Sequence, residues 1–311
     1  MSLQLSDTKD QKALARTLAE ISRLGLDQNL MELEIQGFTI LRDVLSGDQV
    51  ERAKKSILNR IEALTGKRPD VNTATAEDFE GKQYVYYMLY DDVVFEEILM
   101  QERPLALATY LLGESCKLSS IGCHFKGQGD GGTIDLHADG ANGITPLPAT
   151  SIVCNVNYAL VPYSREAGAT ALVPGTHKLC RQPTPEENKL TGESANPLAI
   201  PADMNPGDCV IWHGNTWHGA FNRKAPGLRL SVTVYFVRDF IRPLEDYIDN
   251  VPQEWLDKYG PRFAMRLQQG SVPGAKTQAK RVADSERADK FKAAYEKSIG
   301  VGIGERTNPH H

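Results

Sequence analysis

A chain of 311 residues with 41% hydrophobic and 24% charged residues has ordinary globular composition and is long enough to enclose a substantial core. The formal net charge of -5 and the scattered lysines and arginines argue against nucleic acid as a partner, and no apolar run approaches the roughly 20 residues of a membrane helix. The first residues are charged and polar with no leader-like apolar stretch, so a cytoplasmic protein without membrane insertion is expected, its five cysteines reduced and mostly buried.

Ser6 can cap a first helix in which Leu14, Leu18, Ile21 and Leu24 recur at helical spacing up to Gly25, and a second helix is predicted over Asp27 to Gln36. After Gly37, Phe38 to Leu41 reads as an edge strand. Ser46 can cap a long amphipathic helix with Val50, Ile57, Ile61 and Leu64 on one face, closed by Gly66. Residues 67–81 are polar and turn-rich, Gln83 to Tyr90 is aromatic and strand-like, and two helical segments run through Leu112. From Lys117 to Arg238 the pattern changes to short β-type runs separated by Gly, Pro and Asn turns: 118–125, 149–160, 169–173, 208–212, 216–221 and 228–237. Such a series predicts a mainly β fold with flanking helices, built on a double-stranded β-helix core of jelly-roll or cupin type. Beyond Pro243 the chain returns to helix, and Lys276 to Lys297 reads as a solvated outer helix with a thin apolar stripe. Residues 1–311 are expected to form one domain, with 1–36 a helical extension, 37–240 the jelly-roll core and its helices, and 241–311 a C-terminal helical segment.

His137-Ala138-Asp139 and the distant His218 supply two imidazoles and one carboxylate, the ligand set of the facial triad that holds non-haem Fe(II) and leaves three positions free. Two apart on a strand, His137 and Asp139 share a face and can chelate one ion. His213, at the end of a different run, is the competing third ligand. Lys126 to Gly132 lacks a following helix and a Walker lysine and is read as a plain turn. Eleven residues past His218 stands Arg229, in a run Leu228 to Phe236 that alternates cleanly, placing Arg229, Ser231, Thr233 and Tyr235 on a polar face. An arginine inside a barrel is costly unless paired, and its fork fits a carboxylate, with Ser231 able to add a donor; an internal Arg-Asp bridge is the alternative.

The run Glu166 to Lys178, the Gly207-Asp208 turn, His218-Gly219, Asn222 and Arg229 together resemble the phytanoyl-CoA dioxygenase family of Fe(II)/2-oxoglutarate oxygenases, over Gly37 to Val237 and most strongly from His137 onward. The resemblance implies that His137, Asp139 and His218 ligate iron and that Arg229 binds the distal carboxylate of 2-oxoglutarate. It further implies Thr170 beside the cosubstrate, Asn155 on a strand lining the same cavity, and His177 in a structural turn. Where the mammalian phytanoyl-CoA enzyme has a serine beside the cosubstrate this chain has Ala220, and Ser231 is the candidate to replace that hydroxyl. The implied function is a dioxygenase using Fe(II), 2-oxoglutarate and O2 to oxidise, by default hydroxylate, an unactivated carbon of a small metabolite, releasing succinate and CO2. Asp139 disfavours halogenation, while desaturation, epoxidation and rearrangement stay open. Two readings of other classes stand beside it: a cupin-like metal-dependent isomerase or hydrolase, which needs no deep carboxylate anchor, and a non-catalytic small-molecule-binding module. Tyr84, Tyr86, Tyr87, Tyr90, Trp212 and Trp217 are read as pocket lining or core packing. Nothing resembles an Arg- and Lys-rich site for a CoA phosphate, so a small apolar or amphipathic partner is expected, with a homodimer left open.

Overall fold

A computed structural model describes residues 9–78, 84–129, 133–139, 146–275 and 277–303; Ser6, Gln83, Lys276 and positions 130–132 of the Lys126 loop lie outside them. Among the described residues the strands are β1 (Phe38–Leu41), β2 (Tyr84–Val85), β3 (Lys117–His124), β4 (Ile134–His137), β5 (Val153–Ala159), β6 (Thr170–Leu172), β7 (Ile200–Pro201), β8 (Cys209–His213), β9 (His218–Ala220) and β10 (Ser231–Val237). They form two antiparallel sheets, a larger one in the order β1-β8-β5-β10-β3-β2 and a smaller one in the order β4-β9-β6-β7. This is the jelly-roll core. The helices are α1 (Lys9–Arg23), α2 (Asp27–Gln36), α3 (Gly47–Thr65), α4 (Val93–Leu99), α5 (Glu102–Leu112), α6 (Gln253–Arg266) and α7 (Gln278–Ile299).

The alternation in β10 decides the layering. Leu230, Val232, Val234 and Phe236 join Val156, Tyr158, Ile211 and residues of α4 and α5 in the main hydrophobic cluster, so the helices cover that face of the larger sheet. The opposite face, carrying Thr233 and, two residues before the strand, Arg229, borders a cavity shared with the smaller sheet. A hydrophobic layer on one side and a polar interior on the other follow from the period-2 geometry of a strand.

Local chemistry fixes the ends of the elements. Ser46 and Gln49 form a reciprocal capping box at the start of α3, and Gly66 ends it in the left-handed conformation. Gly37 ends α2 at φ +85°, and a Cβ there would collide with Thr216 Oγ1 and the His177 ring. Its carbonyl accepts from both the His213 amide and Thr216 Oγ1, each at 2.8 Å, tying the end of α2 to the β8–β9 turn.

Three expectations need correction. On α1, Leu14 and Leu18 are exposed while Thr17, Glu20 and Ile21 are buried, because the helix docks through polar groups: Thr17 donates to Glu114 at 3.1 Å and Glu20 pairs with Arg262 at 2.6 Å. The aromatic segment is a strand only at Tyr84 and Val85. Tyr87 then turns to φ 56° with its amide donating to the buried Glu245 carboxylate at 2.7 Å, and Met88–Tyr90 is a 3-10 turn. The chain after Pro243 stays irregular until α6 begins at Gln253. As expected, Cys116, Cys123, Cys154 and Cys209 are buried free thiols, with Cys180 half-buried. No helix among the described residues is long and apolar enough to cross a membrane.

Candidate active site

β4 and β9 pair so that His137 lies directly opposite His218, with a register irregularity between Ile134 and His137. Asp139 follows two residues after His137, beyond the end of the strand. His137 Nε2 stands 3.6 Å from Asp139 Oδ1, and His218 Nε2 stands 3.4 Å from Asp139 Oδ2. Among the described residues this trio is the cluster of His, Cys, Asp and Glu able to hold one ion, its ligand atoms all within 4.8 Å of one another. Adjacent ligands about 2.1 Å from an octahedral ion are about 3 Å apart, so a small closure suffices to seat a metal.

The surroundings orient all three groups for that task. His137 Nδ1 lies 2.9 Å from the Asp135 carbonyl and His218 Nδ1 lies 3.0 Å from the Thr216 carbonyl; when these nitrogens carry the proton, both Nε2 lone pairs are left facing Asp139. Burial pushes the His218 pKa down, opposed by the Asp139 charge, which favours the neutral imidazole a metal requires. Asn155 on β5 donates to Asp139 Oδ2 at 2.6 Å, and the Asp139 amide donates to the Gly214 carbonyl at 2.9 Å. Between the two ligands, Gln182 clamps Ala138 by accepting from its amide at 2.9 Å and donating to its carbonyl at 2.7 Å. Asn155→Ala is expected to lower Fe(II) affinity by about tenfold, the low end for losing an outer partner of a metal ligand, measured by competition with a chelator. Unchanged affinity would show that Asp139 holds its place without the amide.

The triad opens into a cavity of about 320 Å³ that also borders Arg229, Thr170, Asn157 and Trp212. Arg229 is buried. Its Nε donates to Tyr163 Oη at 2.9 Å, its Nη1 has no partner, and among the described residues it makes no ion pair with a carboxylate, so the internal-bridge alternative is not what the structure contains. Asn157 Oδ1 and Trp212 Nε1 are likewise buried without partners. A cavity joining a potential metal centre to an uncompensated guanidinium fits a ligand that chelates at one end and carries an anion at the other.

The remaining predicted site residues divide. Thr170 borders the cavity directly across from Ala220, accepting from Asn157 at 3.4 Å, so a hydroxyl is available beside the position where serine is missing. Ser231 is fully buried with a partnerless Oγ and is not among the side chains bordering the cavity, because a short side chain between Arg229 and Thr233 does not reach it. His213 lies apart from the triad: its Nδ1 accepts from the Asn215 amide at 3.0 Å, its ring packs 5.3 Å from His177, and burial pushes its pKa down to about 4. His177 reaches the Glu34 carbonyl at 3.2 Å. Trp212 lies 4.9 Å from the His218 ring, whereas Trp217 points to the other side of β9, into a cluster with Leu136 and Phe221.

Two residues escaped sequence reading. Tyr163 carried no signal, since its contact with Arg229 spans 66 residues. His124, which borders the cavity, stood as the polar end of an apolar run and could have been singled out by alternation from Gly122. Although the residue is open to solvent at the cavity edge, partial desolvation of its ring, followed by the charges of Arg229 and Lys126, pushes its pKa down to about 4, which favours the neutral imidazole.

The sequence model described as phytanoyl-CoA dioxygenase (PhyH) matches residues 33–231. "Dioxygenase FrzG" of Cladobotryum sp is 35% identical over 106 residues, a stretch spanning 34% of each chain. "Dioxygenase af480" of Aspergillus fumigatus is 23% identical over 251 residues, covering 80% of this chain and 79% of that one. Among solved structures, the epimerase SnoN, in complex with Fe3+, alpha ketoglutarate and nogalamycin RO, aligns with a TM-score of 0.53 at 20% identity over 74% of this chain and 91% of its own. At that identity the likeness is one of fold.

Proposed function

Because the chain belongs to the phytanoyl-CoA dioxygenase family, we propose that it is a dioxygenase that holds Fe(II) with His137, Asp139 and His218 and takes 2-oxoglutarate as cosubstrate with its distal carboxylate on Arg229. The observation that carries this reading is the buried Arg229 Nη1, partnerless in the same cavity as the triad. A metal isomerase or hydrolase using the same three ligands has no need of such an anchor, and its burial without an anion is unfavourable. Bound iron with a 2-oxo acid supplies oxygen activation coupled to decarboxylation of the cosubstrate to succinate.

The chain's own residues do the rest. Asn155 and the backbone carbonyls of Asp135 and Thr216 hold the ligands in orientation, so little reorganisation accompanies metal entry. Tyr163 fixes Arg229 through Nε and leaves the partnerless Nη1 for a carboxylate. Ile134 and Trp212 give the cavity apolar walls beside the polar Thr170 and Asn157, which suits a small apolar or amphipathic substrate. Hydroxylation is the default outcome. Epimerisation is the second reading, favoured by the fold shared with SnoN, since the fate of a substrate radical depends on pocket geometry and not on the ligands.

With Fe(II), oxygen and 2-oxoglutarate alone, the protein is expected to release succinate slowly, and a cognate metabolite should accelerate release strongly. Measuring succinate across a panel of small apolar and amphipathic metabolites finds the substrate class without assuming the product. No succinate above a metal-free control with any of them, while Fe(II) stays bound, would transfer the site to the isomerase or hydrolase reading.

A further inference from the structure

We propose that Gln182 is a positioning residue for the metal centre, its side-chain amide fixing the Ala138 peptide groups and thereby the bite of His137 and Asp139 on one ion; this rests on the metal-binding reading above. β4 is the end strand of the smaller sheet, so among the described residues its outer edge has no strand to pair with. The irregular segment after Cys180 supplies partners there instead. The Leu136 amide donates to the Asn188 carbonyl at 2.9 Å, and two residues on, Ala138 donates from its amide to Gln182 Oε1 at 2.9 Å and accepts from Gln182 Nε2 at 2.7 Å. A primary amide carries the donor and acceptor of a peptide group, so Gln182 makes with its side chain the reciprocal pair of bonds that a residue of an adjacent antiparallel strand would make.

The clamp acts where the inner pairing of β4 is interrupted. Between Ile134 and His137 the register with β9 is irregular, and Asp139 lies past the end of the strand, tied by its own amide to the Gly214 carbonyl at 2.9 Å and by Asn155 at 2.6 Å. Ala138 is the link between the two ligands. Its methyl group joins the apolar cluster of Leu136 and Trp217 while His137 and Asp139 turn to the cavity, so a rotation of its peptide groups would swing both ligand side chains. Pro183 disfavours the helical conformation for Gln182, which stiffens the clamp. The preceding residue reaches the neighbour of the third ligand: Trp217 Nε1 donates to the Arg181 carbonyl at 2.8 Å, and the Arg181 guanidinium lies 4.8 Å from the centre of the indole. Arg181-Gln182 thus braces the residues next to His137, Asp139 and His218 from the side away from the cavity.

The test titrates the full chain anaerobically with Fe(II) against a chelator, and separately with Co(II), whose visible absorption reports the number and arrangement of its ligands. Gln182→Met keeps the length of the side chain and removes both hydrogen bonds. It should weaken Fe(II) binding by about tenfold, the low end for losing an outer support of a metal ligand, and change the Co(II) spectrum at saturation. Gln182→Ala, which removes the bulk as well, should give the same spectral change. Lys189→Ala breaks the exposed 2.7 Å ion pair between the same segment and Asp135, and should leave Fe(II) affinity within about twofold and the spectrum as in the wild type. Read at saturation, the spectrum reports the ligand arrangement of folded protein whatever the stability of the variant. A wild-type spectrum or wild-type Fe(II) affinity in Gln182→Met, or a Lys189→Ala that weakens Fe(II) as much, overturns the inference, while Fe(II) binding by the wild-type protein and its loss in His218→Ala still uphold the metal reading. A wild-type protein that binds no Fe(II), or binds it equally well without His218, overturns the metal reading and the role of Gln182 with it.

Discussion

His218→Ala is expected to lose stoichiometric Fe(II) binding, and with it all succinate release, whereas His213→Ala keeps both. The difference arises from position, not residue type. His218 is paired with His137 across β4 and β9 and faces Asp139 at 3.4 Å, while His213, at the end of β8 in the other sheet, accepts from the Asn215 amide. Removing one of three ligands from an open site forfeits a metal bond that no neighbouring group replaces, since the cluster has no fourth His, Cys, Asp or Glu among the described residues. His213→Ala should instead cost stability, about 1–2 kcal/mol for an unpaired buried amide, read as a lower melting temperature with metal stoichiometry intact. Anaerobic Fe(II) titration of the two variants separates the cases, and iron retained by His218→Ala but lost by His213→Ala would reverse the ligand assignment.

Arg229→Ala should raise the 2-oxoglutarate concentration needed for half-maximal succinate release by about thirtyfold, the equivalent of about 2 kcal/mol for a buried charge-assisted pair, with Fe(II) affinity nearly unchanged. The guanidinium is well placed for so large an effect because Tyr163 already occupies Nε and the cavity side of Nη1 is unsatisfied. An unchanged requirement for the cosubstrate would move the anchor elsewhere, with His124 and the Lys126 strand the next positions to vary.

What was legible in the sequence was whatever rests on short periods. The alternation of Leu228 to Phe236 separated the hydrophobic layer from the cavity face, the His-x-Asp spacing picked out two side chains that the structure gathers with His218 into a cluster able to hold an ion, and the Ser46 capping box announced α3. Contacts between residues far apart in the chain were not legible. Leu14 and Leu18 follow helical spacing yet are exposed, because the neighbouring Glu20 finds Arg262, 242 residues away, and draws the helix down on its polar side. The same holds for the site: Asn155 was read as cavity lining, and only the three-dimensional arrangement reveals that its amide also holds Asp139. Tyr84 to Tyr90 failed for a third reason, since aromatic content favours a strand but the buried Glu245 supplies a better partner for the Tyr87 amide than a neighbouring strand does.

The junction at Gly37 bears on the order in which the molecule assembles. Its carbonyl meets Thr216 across a separation of 179 residues, and the Gly175 amide donates to Gln36 at the same point. Closing a loop of that length costs chain entropy before any contact repays it, so interactions of such high contact order form after local hairpins and helices. The turn carrying Thr216, whose carbonyl orients His218, is therefore braced late, when the first helices have docked against a barrel made from the middle of the chain. Residues 27–37 are in this sense a closing latch for the β8–β9 turn that leads into His218, and ion binding there would report completion of the fold instead of nucleating it.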